Sequence, residues 1–285
     1  MKRPDLSKMM VGVQDLPTLP RTVLKITELV NDPKSSARDL ARIITDDQVL
    51  TARLLKLVNS SFYGFPQRIA TVTGAIVLLG FDAIRNLLLT TSVFDLFAHK
   101  YKKARLNQEK FWDHSLGCAV GSKVIGNHIR QDKVEELFVS GLLHDIGKIV
   151  AMMYLPEEFA RVMALVTEQN ILMTAAEEAV LGYTHAEIGQ ALAERWNLPP
   201  KLAHVIAHHH HPRAAGRFTL EAAVVHLADI FCRALNLGCG GDAKIPPLDK
   251  DAWEILRIKT SAIEPMMAEI CREFEDISLF IVSSP

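Results

Sequence analysis

Apolar residues recur at helical spacing along almost the whole chain, and this pattern restricts the fold more than any other feature. Leu40, Ile43 and Ile44 form such a face behind a predicted helix cap made by Ser36 and Asp39. Strand-like alternation of apolar and polar residues does not run over any useful length. The spacing predicts helices over residues 72–79, 82–97, 111–129, 133–143, 157–168, 173–181, 185–196, 201–208, 220–235, 253–258 and 262–274. We therefore expect an all-α protein.

A charged and polar stretch at residues 100–107 separates two helical halves. It lacks the glycine, serine or proline bias of a flexible linker, so we interpret it as a joint between subdomains. We place an N-terminal helical subdomain at residues 11–105. A helical bundle at residues 106–285 follows and holds most of the histidines.

Composition narrows the functional classes. A chain of 285 residues that is 49% hydrophobic is expected to be globular, and its net charge of −1 gives no electrostatic footprint for nucleic acid or an anionic membrane. The apolar patches at 75–80 and 87–97 are too short to span a bilayer, and no apolar segment of a signal peptide follows the N-terminus. The four cysteines show no CxxC spacing, so a cytoplasmic protein with reduced thiols is expected.

A histidine and an aspartate, His144 and Asp145, stand side by side at the end of an apolar run. Imidazole nitrogen and carboxylate oxygen suit first-row metals, and an aspartate can bridge two of them. Further donors of the same kind lie on other predicted helices: His114, His185, His209, His210 and Asp229. Side chains on facing helices form metal sites in bundle cores. Because this donor set contains no cysteine, it favours iron, manganese or nickel over a closed structural zinc site.

Several of these residues have simpler interpretations. Adjacent helical residues point about 100° apart, so only two of the four histidines 208–211 are expected to face one site. Asp229 is flanked by apolar residues and needs a partner, which either a metal or Arg233 one turn later supplies. His226 shares a helix face with Asp229 and is expected to support the site.

The series from His114 to Asp229 resembles the HD phosphohydrolase superfamily. The motifs at residues 16–20, 54–63 and 69–80 resemble, more narrowly, the HDOD domain, the HD-related output domain of bacterial signalling proteins. The resemblance covers nearly the whole chain from about residue 11 onward. It implies a signal-transduction protein with an HD-type helical bundle.

The resemblance also implies a dinuclear site. Asp145 would bridge two divalent ions, most fittingly iron or manganese, with nickel or zinc as alternatives. One ion would be held by His114, His144 and Asp229, and the other by His185, His209 and His210. Activated water would then attack a phosphoester, with Asp145 and Lys148 as the catalytic candidates. Lys148 would hold the phosphate as a point charge, unless it is a solvated lysine near a helix end.

Two departures from related families matter. HD-GYP relatives, which cleave cyclic di-GMP, carry Gly-Tyr-Pro after the paired histidines, whereas this chain has other residues at 211–217. The glutamate that some relatives place one turn before the first histidine is missing at residues 110–112, so a third metal is not expected. Two alternatives stay open: a non-enzymatic regulatory or scaffold module with a structural metal site and a signalling protein partner, and an HD-type di-iron oxygenase.

Overall fold

The computed structural model describes residues 21–30, 34–59, 65, 67–98 and 107–282, and within them it contains helices and no strand. The all-α prediction is confirmed. The first helices are α1 (Arg21–Val30), α2 (Ala37–Thr45), α3 (Gln48–Val58), α4 (Val72–Leu79) and α5 (Phe81–Ala98). The later ones are α6 (Gln108–His128), α7 (Val134–Leu143), α8 (Ile146–Tyr154), α9 (Pro156–Gln169), α10 (Met173–Leu181), α11 (His185–Arg195), α12 (Pro200–His208), α13 (Thr219–Ala234), α14 (Lys250–Leu256) and α15 (Ile263–Val282). Short 3₁₀ segments cover Pro212–Phe218 and Thr260–Ala262.

Local sequence signals set several helix ends. The predicted Ser36–Asp39 cap is present as a reciprocal capping box at the start of α2. Thr184 and Glu187 form the same arrangement at the start of α11, which fixes the helix immediately before His185. Gly80, with a φ of 84°, separates α4 from α5 in a conformation that other residues rarely adopt.

The described residues divide into two compact units. One comprises residues 107–270, and the other comprises residues 21–98 and 271–282. In the smaller unit, α1 packs on α2 and α5, while α2 packs on α4. Asn59 closes the loop between α3 and α4 by accepting a hydrogen bond from the Ile69 amide and donating one to the Ile69 carbonyl.

Several predicted features fall outside the described residues. These are the motif at residues 16–20, residues 60–63 of the motif at 54–63, and the boundary predicted between residues 105 and 106. The boundary lies within the stretch 99–106, so the domain division stays a prediction.

The larger unit carries the histidine and aspartate residues. In it α6 packs on α7 and α13, and α11 packs on α8 and α12. The sequence patterns did not predict α8 as a helix, although it begins directly after the adjacent His144 and Asp145. Val134–Tyr154, which covers α7 and α8, is long and apolar enough to cross a membrane, but 83% of its most apolar window is buried, as in the core helix of a soluble protein.

Candidate metal centre

Seven side chains singled out from the sequence lie together in the larger unit. They come from α6, the junction of α7 and α8, the start of α11, the end of α12 and the middle of α13: His114, His144, Asp145, His185, His209, His210 and Asp229. Six of them are at most 1% exposed, and His210 is partly exposed. Potential ligand atoms gather within 4.8 Å in a first donor group of His114, His144 and Asp229 and in a second donor group of His185, His209 and His210.

Backbone carbonyls orient two of the histidine rings. His144 Nδ1 lies 2.6 Å from the Gly141 oxygen, and His209 Nδ1 lies 2.8 Å from the Ile206 oxygen. Because a carbonyl only accepts, each Nδ1 carries the proton and each Nε2 presents a lone pair. Both Nε2 atoms are buried and make no hydrogen bond. Buried polar atoms without partners are costly, so these two nitrogens fit metal ligands.

The two oxygens of Asp145 face different donor groups. Oδ1 lies 3.0 Å from His185 Nε2 and 3.8 Å from His209 Nε2. Oδ2 lies 3.3 Å from His144 Nε2 and 3.5 Å from His114 Nε2. This is the arrangement that a carboxylate needs to contact one ion through each oxygen.

Asp229 has both a cationic and an imidazole neighbour. Its Oδ1 accepts a hydrogen bond from Arg233 Nε at 2.9 Å and lies 3.2 Å from His114 Nε2. Arg233 Nη1 in turn donates a hydrogen bond to Asp242 Oδ1 at 2.8 Å. The predicted pair one helical turn apart is therefore present. A carboxylate offers about four lone-pair sites, so this pair does not exclude a metal on Asp229.

Lys148 is a buried residue and not a solvated one. Its side chain is 0% exposed, and Nζ donates a hydrogen bond to Asp145 Oδ2. The interpretation as a solvated lysine near a helix end is wrong. The ammonium group places a fixed positive charge beside the proposed bridging carboxylate, where it balances that group's negative charge.

Of the four consecutive histidines, His209 and His210 belong to the second donor group. His226 supports this turn: its Nδ1 donates to the His209 carbonyl at 2.8 Å, and its Nε2 accepts from the Asp249 amide at 3.0 Å. A supporting role was predicted for His226 from its position near Asp229. Its hydrogen bonds join the backbones of His209 and Asp249 rather than the Asp229 side chain.

Two residues near the donor groups were missed. Glu177 lies 2.7 Å from His185 Nδ1 and accepts from the His185 amide at 3.0 Å. The Cys118 sulfur lies 3.7 Å from His114 Nε2 and gathers with the first donor group. The predicted donor set included no cysteine, whereas the Cys118 sulfur lies beside three of its members. The four-residue spacing of His114 and Cys118 on one helix was the available sequence signal.

Burial and charged neighbours shift the pKa values of the candidate ligands in different directions. Burial and the neighbouring histidines hold the pKa values of His209 and His210 well below the usual value. For His114 and His185, burial lowers the pKa. The acidic neighbours of each ring outweigh this and raise it above the usual value. Burial raises the pKa of Asp145, but positive charge on nearby groups, Lys148 among them, lowers it well below its usual range.

We expect metal binding at pH 7 to release protons. A raised pKa favours the protonated rings of His114 and His185, which an ion must deprotonate, whereas a lowered pKa favours the neutral rings of His209 and His210. Metal affinity should therefore fall as the pH is lowered, with at least one proton released per chain. Calorimetric titration in two buffers of different ionisation enthalpy measures this number. Equal binding enthalpies in both buffers would contradict it.

We expect Glu177→Gln to lower metal affinity by about 10- to 100-fold, the range for residues that orient a metal ligand. The carboxylate fixes the His185 ring through Nδ1 and its backbone through the amide. Glu178→Gln on the exposed side of the same helix is the matched control. The measurement is a metal titration of both variants, and equal affinities would show that Glu177 does not orient the ligand.

A cavity of about 610 Å³ opens beside the second donor group. His185 and His210 line it together with Thr174, Gln190 and Arg233. The volume lies within the range of small-molecule sites. A small ligand can therefore approach the cluster from the side of the second donor group.

The fold and the cluster define a helical protein with a buried, metal-compatible group of histidines and aspartates. The HDOD domain family model matches residues 16–212, and the chain belongs to this family. Among solved structures, it is similar to an HDOD domain protein of unknown function from Geobacter sulfurreducens, with 31% identity, a TM-score of 0.76 and coverage of 94% of this chain and 96% of that one.

Two further relatives extend the comparison. A candidate phosphohydrolase from Shewanella amazonensis SB2B shares the fold, with 23% identity, a TM-score of 0.75 and coverage of 95% of this chain and 97% of that one. An uncharacterised protein from Treponema pallidum is 28% identical over 253 residues, which is 87% of this chain. The chain spans 47% of the length of that relative.

Proposed function

We propose that this protein is a bacterial, cytoplasmic signal-transduction protein whose dinuclear metal site hydrolyses a phosphoester. The observation that supports the proposal most is the placement of Asp145, whose two oxygens face separate donor groups. A carboxylate placed in this way can bridge two ions, with one oxygen toward each. Buried histidine nitrogens without hydrogen-bond partners occur in both donor groups, at His144 and His209.

Two bound divalent ions would supply an activated water and offset negative charge on the phosphoryl oxygens. The first donor group with Asp145 would hold one ion, and the second donor group with Asp145 would hold the other. Lys148 holds the Asp145 carboxylate in place and adds positive charge next to it. It therefore acts on the substrate through Asp145 in this geometry rather than as a direct phosphate ligand.

The cavity beside His185 and His210 would receive the substrate. Its volume of about 610 Å³ accommodates a small phosphoester, and no nucleic acid or membrane partner is proposed. Arg233 lies in its wall, where the carboxylates of Asp229 and Asp242 balance its charge. Glu178 and Glu187 also line it, so a substrate with hydrogen-bond donors away from its phosphate is favoured.

The test is an anaerobic hydrolysis assay of protein from which metal has been removed and which is then reloaded with Fe²⁺ or Mn²⁺. Cyclic dinucleotides, nucleotides and simple phosphodiesters are the substrates. We expect metal-dependent cleavage of at least one class. Anaerobic turnover separates hydrolysis from oxygenase chemistry, which requires dioxygen. If protein that holds two ions cleaves none of the three substrate classes, the hydrolytic proposal is contradicted.

Burial of the cluster supports a second candidate function. His144, Asp145 and His209 are at most 1% exposed, as expected of a metal site that stabilises a regulatory or scaffold module with a signalling protein partner. Alanine at His144 and Asp145 discriminates the two. Signalling output that survives in a folded, metal-free double variant would show that metal chemistry is not the function.

A further inference from the structure

Cys118 lies where a ligand to the ion of the first donor group would lie. It is on α6, one turn after His114, and its side chain is buried beside the first donor group. Two donors four residues apart on one helix face can share one metal ion. The sulfur, the two histidine nitrogens and the Asp229 oxygen all gather within 4.8 Å of one another.

The distances within this group fit donors around a common ion. With bonds of about 2.0–2.1 Å to nitrogen or oxygen and about 2.3 Å to sulfur, donors on one ion at angles of about 90–110° lie about 2.9–3.3 Å apart for nitrogen and oxygen and about 3.1–3.6 Å apart for nitrogen and sulfur. His114 Nε2 lies 3.2 Å from Asp229 Oδ1 and 3.7 Å from Cys118 Sγ.

A second observation points to a ligand at this position. His144 Nε2 is fully buried and makes no hydrogen bond, although it belongs to the same group as Cys118. The Nδ1 atom of this ring already donates to the Gly141 carbonyl, so Nε2 is left as a lone pair directed into the group. An ion between His144, His114 and Cys118 would satisfy this atom.

We propose that Cys118 is a thiolate ligand of the ion held by His114, His144 and Asp229. The inference rests on the proposed metal site and goes beyond it by making the two ions chemically different. Thiolate is a soft ligand that selects zinc or iron over manganese and magnesium. The first ion is therefore expected to be zinc or iron, while the second, held by three histidines and Asp145, accepts a wider range of metals.

The experiment is Co²⁺ loading of stripped, reduced full-length protein without oxygen. A cobalt–thiolate bond gives a near-ultraviolet charge-transfer absorption that histidine and carboxylate ligands do not give. We expect this band in the wild-type protein. We expect it to disappear in Cys118→Ser, together with a fall of about 10- to 100-fold or more in Co²⁺ affinity.

Cys271→Ser is the matched control, since Cys271 is also a free cysteine but lies outside the donor group. It should keep the band and the affinity. Cys118→Ala provides a second variant if the serine hydroxyl prevents folding, and the wild-type spectrum requires no variant.

The outcomes separate this proposal from the proposed function. Bound Co²⁺ without a charge-transfer band would overturn the role of Cys118 and leave the metal site standing. A band that persists in both Cys118 variants, or that is lost in Cys271→Ser alone, would also overturn it. Failure to bind any Co²⁺ would overturn the metal site itself, and the ligand role with it.

Discussion

Asp145→Asn is expected to abolish binding of both metal ions and all metal-dependent hydrolysis. The substitution keeps the shape of the side chain but removes the negative charge that faces both donor groups. It also leaves the buried ammonium group of Lys148 without its counter-ion. Removing one partner of a buried ion pair costs about 3–5 kcal/mol. The free energy of unfolding of the metal-free protein should fall by that order.

Metal content after dialysis and a denaturant titration measure the two effects separately. Asp251→Asn is the matched control, because Asp251 makes the same kind of ion pair with Arg213 in a largely exposed position. That variant should keep its metal, its activity and its stability. Retention of metal at unchanged affinity in Asp145→Asn would contradict the bridging role.

Gly147→Ala is expected to destabilise the protein by about 3 kcal/mol or more, at the upper end of the range for overpacked sites. A Cβ on Gly147 would lie 1.9 Å from the His185 carbonyl oxygen and 2.7 Å from the Gly189 nitrogen. These are backbone atoms, so α8 and α11 must move apart. That movement separates Asp145 from His185, and metal affinity should fall with stability.

Helix propensity alone predicts that Gly147→Ala stabilises the protein, since alanine is favoured over glycine in a helix by about 1 kcal/mol. Gly121→Ala is the control, because a Cβ there would lie 3.2 Å from the Ala228 Cβ and 3.5 Å from the Ile270 side chain, and the nearest backbone atom, the Ala228 Cα, is at an ordinary contact distance of 3.6 Å. Thermal and chemical unfolding of both variants give the comparison. A Gly147→Ala protein as stable as the Gly121→Ala protein would show that α8 and α11 are not in backbone contact.

Most helices could be predicted from the sequence because their signals are local. The apolar spacing and the capping residues gave α10 at residues 173–181 with both ends correct. Other helices, such as α7 and α12, differ from the prediction by one residue at an end. α8 was missed because it is so apolar that its pattern lacks a polar face, and because it starts at a turn with no conventional cap.

The candidate site shows the same division between local and distant effects. Helical spacing placed Arg233 one turn after Asp229, and the pair is present. The contacts of Glu177 with His185 and of His226 with the His209 carbonyl join separate elements, and no local pattern encodes them. The predicted metal ligands are brought together, and whether they bind metal stays a prediction for the experiments above.

The adjacent His144 and Asp145 and the later donors were evident from residue type alone, because imidazole and carboxylate groups within apolar helices need a partner. The sequence therefore determined the all-α fold, the family and the candidate ligands. Only the tertiary structure decided that Lys148 is buried on Asp145 and that Cys118 lies beside His114. These depend on how helices cross, and crossing is set by distant contacts such as the approach of Gly147 to the His185 backbone.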